Sequence, residues 1–88
     1  MTYRVVWTSD AQSDLATIWM ESPDRRAVAA AADRLDMELP KEPAVFGESR
    51  SGQVRIAFSL PLAIEFEVHD PDLTVYVLAV WAIHRPRD

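Results

Sequence analysis

The chain has 88 residues, nearly half of them apolar, with three Trp, no Cys and a formal net charge of −5. That length holds one compact domain, residues 1–88, and the apolar content excludes a disordered chain. The missing Cys exclude disulfides and thiolate metal sites, and the acidic balance argues against a general grip on nucleic-acid phosphates.

Residues 3–7 alternate Tyr3, Val5 and Trp7 with Arg4 and Val6, a period of two that predicts a first strand. The start of the chain runs straight into this strand without a leader pattern. No apolar run approaches the roughly 20 residues of a membrane span. A soluble, cytoplasmic protein away from membranes is therefore expected. Ser9 and Gln12 have capping-box spacing, and Asp10 suits the positive end of a helix. Ala11, Leu15, Ile18 and Trp19 then form one stripe of an amphipathic helix over 10–21. Ser22-Pro23 reads as a cap and first position of a second helix, with Val28, Ala31, Ala32, Leu35 and Leu39 as its apolar face. Pro40 and Pro43 end it, so the two helices form a hairpin.

Residues 40–52, with Pro40, Pro43, Gly47 and Gly52, read as an irregular connector. After it Val54, Ile56 and Phe58 alternate with Arg55 and Ala57, and Leu62, Ile64, Phe66 and Val68 alternate with Ala63, Glu65, Glu67 and His69. Each alternation predicts a strand with one buried face. Ser59-Leu60-Pro61 and His69-Asp70-Pro71-Asp72 are turns. Residues 74–83 are apolar on both sides, the mark of a central strand or of one whose outer side meets a partner. The tail His84-Arg85-Pro86-Arg87-Asp88 is polar. The expected fold is α+β, in the order βααβββ, with a helical hairpin on one face of a mostly antiparallel four-stranded sheet. The pattern leaves the strand order open.

The ordered set of these features resembles the RelE/ParE toxins of bacterial type II toxin–antitoxin systems. The resemblance rests on Val5-Val6-Trp7-Thr8 followed by Ala11, Asp14-Leu15 and Ile18. It continues through Pro43 and Gly47, through Arg55, and through Val80 and Ile83-His84-Arg85 to Arg87-Asp88. It implies a growth-inhibiting toxin held by a cognate antitoxin. ParE-like members imply a target such as DNA gyrase; RelE-like members imply a metal-independent endoribonuclease that cuts mRNA on the ribosome. A degenerate, non-toxic binding module is a third reading.

RNA cleavage of that kind needs a base for the 2′-hydroxyl, cations for the phosphorane and an acid for the leaving oxygen. Glu48 is the candidate base, Arg50 and Arg55 the stabilising cations, His84 the acid and Arg85 a phosphate ligand. Read as ordinary surface charges instead, Arg55 would pair with Glu65 across the hairpin. The strand over 62–68 offers Glu65 and Glu67 where RelE-like nucleases tend to carry a second functional Arg, and the terminal Tyr of that group is missing. Both departures favour the ParE-like reading. His69, Asp70, Asp72 and His84 lack metal-site spacing, and two Gly cannot make a phosphate loop, so no metal or cofactor is expected. Trp7, Trp19 and Trp81 read as core or core-edge residues, not as a stacking platform.

Overall fold

The computed structural model describes residues 2–83. Its elements are β1 (Arg4–Trp7), α1 (Ser9–Glu21), α2 (Arg25–Glu38), β2 (Glu48–Ser51), β3 (Val54–Ser59), β4 (Leu62–His69) and β5 (Thr74–Ala82). A short 3-10 turn, Asp70–Asp72, joins β4 to β5.

The helices begin where side chains satisfy their orphan amides. Thr8 caps α1, its hydroxyl accepting from the Ala11 amide at 3.2 Å, one residue earlier than the expected Ser9. Gln12 does reach back, donating to the Trp7 carbonyl at 2.8 Å. The cap of α2 is Asp24, which accepts from the Ala27 amide at 3.1 Å, and not Ser22 with Pro23. Ser22 is already engaged as the extended residue that ends α1. Arg25 closes the hairpin from the other side. It donates to the Trp19 and Met20 carbonyls at 3.1 and 3.0 Å and lies 4.6 Å from the Trp19 ring centre.

The sheet has five strands in the order β1-β5-β4-β3-β2. The expected count of four falls short because β2 lies inside the stretch read as a connector. Glu-Ser-Arg-Ser carries no apolar alternation, and every residue of β2 is exposed. Backbone pairing to β3 holds it there, Glu48 opposite Ile56 and Ser49 opposite Arg55. A left-handed Gly52 (φ 57°) opens the two-residue loop to β3, as a tight hairpin requires. All pairings are antiparallel except β1 with β5, where Arg4 to Trp7 run parallel to Thr74 to Val77.

Both helices lie on one side of the sheet. There Ala11, Val28, Ala31, Leu35 and Leu39 meet Ala57, Leu62, Ile64, Phe66, Val68, Val75, Val77 and Val80 in a single buried cluster. The expected facing of β3 is reversed. Val54, Ile56 and Phe58 turn away from the helices, while Arg55, Ala57 and Ser59 turn toward them. The cross-strand partners fix this: Arg55 stands opposite Phe66, Ala57 opposite Ile64 and Ser59 opposite Leu62. Ser59 donates to the Ala31 carbonyl of α2 at 3.0 Å. Beyond the end of β1 the edge of β5 has no strand beside it among the described residues. Thr8 donates from its amide and hydroxyl to the Val77 carbonyl, at 3.1 and 2.8 Å, and Asp14 accepts from the Val80 amide at 3.1 Å. Those side chains stand in for a missing strand around the bulge at Leu78.

Candidate functional site

Of the five candidate site residues, the three that are described, Glu48, Arg50 and Arg55, do not form one cluster. His84 and Arg85 lie outside the described residues. Glu48 and Arg50 are on β2, the exposed edge strand, and both reach the sheet side away from the helices. Arg55 is on β3 and points to the opposite, helix-facing side.

Arg55 is held by backbone. Its Nε donates to the Phe46 carbonyl at 2.9 Å and its Nη2 to the Gly47 carbonyl at 3.0 Å. The guanidinium fork fits two neighbouring carbonyls in one plane. Phe46 packs its ring at 6.3 Å from Phe66, so the loop that Arg55 ties down closes the core at this end. Gly47 adopts φ 70°, and a Cβ there would run into the Ile56 carbonyl oxygen and come within 2.9 Å of the Ala57 Cβ. Only Gly lets the loop approach β3 so closely.

The expected pair of Arg55 with Glu65 does not form. Arg50 takes that place, with its Nε 3.8 Å from a Glu65 carboxylate oxygen. Glu65 and Arg55 are one residue out of register and on opposite sides of the sheet, since Glu65 stands opposite Ile56. Glu67 meets His69 at 2.6 Å, and the His69 ring meets Tyr76 edge-on with centres 5.1 Å apart. The outer side of the sheet therefore carries Glu48, Glu65 and Glu67, with Arg50 and His69 leaning on two of them and Arg4 at the β1 edge, and stays acidic on balance. Such a surface is unfavourable to a polyanion.

Sequence reasoning missed the aromatic residues on this side. Trp81, Ala63 and Phe58 stand side by side across β5, β4 and β3. Phe58 and Trp81 are exposed, as is Trp19 on α1, whereas Trp7 packs on the core; of the expected core or core-edge positions, Trp19 and Trp81 are not buried within the core. The alternation in β3 held the signal for Phe58, but not its direction. A second apolar feature lies between the helices. Leu15, Ala16, Trp19, Val28, Ala29 and Ala32 line a groove of about 650 Å³, with Asp33 and Asp36 along it.

No family model and no curated protein matches the sequence. Solved structures do match over nearly the whole chain. A chain of the RelBE2 toxin–antitoxin complex from Mycobacterium tuberculosis superposes with a TM-score of 0.76 at 24% identity, covering 93% of this chain and 92% of that one. A chain of the chromosomal ParDE toxin–antitoxin system from P. aeruginosa gives 0.73 at 18% identity, covering 93% and 97%. The isolated E. coli RelE toxin gives 0.57 at 16% identity, covering 96% and 87%. The likeness is one of fold: a helical hairpin on one side of the sheet.

Proposed function

We propose that this chain, which has the fold of the RelE and ParE toxins, is the toxin of a type II toxin–antitoxin pair and acts in the ParE-like way. It arrests growth by binding a cellular protein, DNA gyrase being the first candidate, and a cognate antitoxin neutralises it. The commitment of Arg55 carries this reading. A cation that stabilises a phosphorane must be free to meet it. Both donating nitrogens of Arg55 face carbonyls of its own chain. Arg50 leans on Glu65, and the carboxylates of the outer sheet side oppose RNA.

The antitoxin's place is the groove between α1 and α2. Its floor is apolar and its polar lining includes Asp33 and Asp36, which suits an amphipathic segment with apolar anchors and basic flanks. The RelE-like reading keeps one observation in its favour. Glu48 and Arg50, a base and a cation, lie on the same open edge strand. The catalytic set would then be Glu48, Arg50, Arg55, His84 and Arg85.

The test is induction of the chain without antitoxin, followed within minutes by primer extension on abundant transcripts and by a supercoiling assay with purified gyrase. Arrested growth, intact transcripts and inhibited supercoiling are expected. Cuts confined to translated frames would replace this reading with the endonuclease. Normal growth would leave a non-toxic binding module.

A further inference from the structure

The side of the sheet away from the helices is uncovered by any described element, and it is graded in character. At the end where β5 leaves the sheet, Trp81, Ala63 and Phe58 form one cross-strand row. Ala63 is 0% exposed between its neighbours, whereas Phe58 is 57% and Trp81 37% exposed. Leu60, in the adjoining turn, is also exposed. Two ring-bearing strands one strand apart put their backbones about 10 Å from each other. The small side chain between them leaves a continuous aromatic ledge. The next row along the strands is Ala79, Glu65, Ile56 and Glu48. Glu65 is two residues from Ala63 on the same side, about 7 Å along the strand. Its one ion pair among the described residues is the 3.8 Å contact with Arg50, and both side chains remain partly open to solvent. Such a contact is readily exchanged for a better-placed cation.

Exposed aromatic rings beside a carboxylate are the chemistry that recognises an alkyl-linked cation. The rings attract the charge and cover the methylene stem, and the carboxylate accepts the donors. We propose that Phe58, Trp81 and Glu65 form a docking ledge for an arginine or lysine side chain on an apolar, basic segment of a partner protein. In the proposed reading that partner is the toxin's target, and the assignment of the ledge to a target rests on that reading. Other occupants fit less well. RNA would bring phosphates against Glu48, Glu65 and Glu67. A second copy packed by this same side would bring two acidic surfaces together, since Glu48, Glu65 and Glu67 outnumber Arg4 and Arg50 there.

The probe is a synthetic amphipathic peptide of leucine and arginine, titrated into the full ¹⁵N-labelled chain, with the same peptide carrying glutamate for arginine as its control. The Trp81 indole signal and the Phe58, Ala63 and Glu65 amides are expected to move with the arginine peptide and not with the control. Glu65→Gln should weaken binding at least fivefold and Phe58→Ser about tenfold. Affinity is read from these signals alone, because the groove between the helices suits a similar segment; Met37→Ser, exposed on α2 and outside that groove, should leave it unchanged. Equal affinity for Glu65→Gln, or an equal loss in Met37→Ser, overturns the ledge. So do shifts of the same signals by a tetrauridylate, by raising the protein concentration alone, or tighter peptide binding by a chain ending at Ile83. Those outcomes assign the surface to RNA, to a second copy or to the chain's own tail. Growth arrest separates this inference from the toxin reading. Arrest by the native chain and not by Phe58→Ser/Glu65→Gln supports both. Equal arrest by the two chains removes the ledge and keeps the toxin. No arrest by the native chain removes the toxin reading and leaves the titration to decide the ledge.

Discussion

Arg55 illustrates how one side chain can be legible in type and misread in role. Its position early in a strand was apparent, and its charge suggested a site. Its direction was not, because alternation says that two sides of a strand differ without saying which meets the core. The carbonyls it satisfies belong to Phe46 and Gly47, in a loop whose path no periodicity encodes. Arg55→Ala is expected to destabilise the fold by about 1–3 kcal/mol, since it leaves two carbonyls without a charged donor. Arg55→Lys should recover little, because an ammonium cannot bridge both; urea unfolding of the three chains measures this. Tyr3 is a second residue tied across the chain, donating to Asp70 at 2.7 Å. That hydrogen bond, then burial and the Asp70 charge, raise the phenol's pKa above its ordinary value of 10.0. The folded state therefore holds this proton more tightly than the unfolded state. The stabilisation is full below the ordinary phenol range and is lost as pH rises through the raised folded value. An ultraviolet titration should show a late phenolate phase that Tyr3→Phe removes.

At the scale of elements, the long periodic segments were read correctly, and the departures have physical causes. Both helices were found because their apolar stripes repeat every three or four residues. Their caps were placed one or two residues away, because Ser, Thr and Asp compete for the same role in Thr8-Ser9-Asp10 and in Ser22-Pro23-Asp24. Asp24→Ala should cost about 1 kcal/mol, read from the same unfolding experiment. Strand β2 escaped because a polar edge strand is held by its backbone alone. The one signal was Gly52 at a hairpin loop. The β5 edge carries the plainest case of side chains replacing a strand. Asp14→Ala would leave the Val80 amide without its acceptor and should lose about 1–2 kcal/mol, whereas Asp14→Asn keeps an acceptor and should lose less. Amide hydrogen exchange at Val80 distinguishes the two.

For the whole molecule, the core was legible as a set of residues and much less so as an arrangement. Leu62, Ile64, Phe66 and Val68 were read as one buried row, and that row lies under both helices. Phe66 is the largest fully buried side chain among the described residues, and Phe66→Ala should cost about 3–5 kcal/mol, a large share of the roughly 5–15 kcal/mol that holds a domain folded. Thermal melting of the two chains would register the loss. The two surfaces open to partners lie on opposite sides of the sheet, the groove between the helices and the outer aromatic row. If the groove holds an antitoxin as proposed, a charge placed there by Ala29→Glu should weaken that binding at least tenfold while growth arrest persists, as co-expression would reveal.

The parallel partnership of β1 and β5 also has a temporal side. Arg4 pairs with Thr74, so the first strand waits for a partner made 70 residues later. At about 5–20 residues per second, that is an interval on the order of 4–14 s. Throughout it Val5, Val6 and Trp7 emerge on the ribosome without the strand that will hold them. The helices can form early, but the edge they close onto does not yet exist. A nascent chain is thus an incomplete sheet until residues 74–82 are made, and a ligand that recognises the folded sheet has nothing whole to bind until that strand arrives.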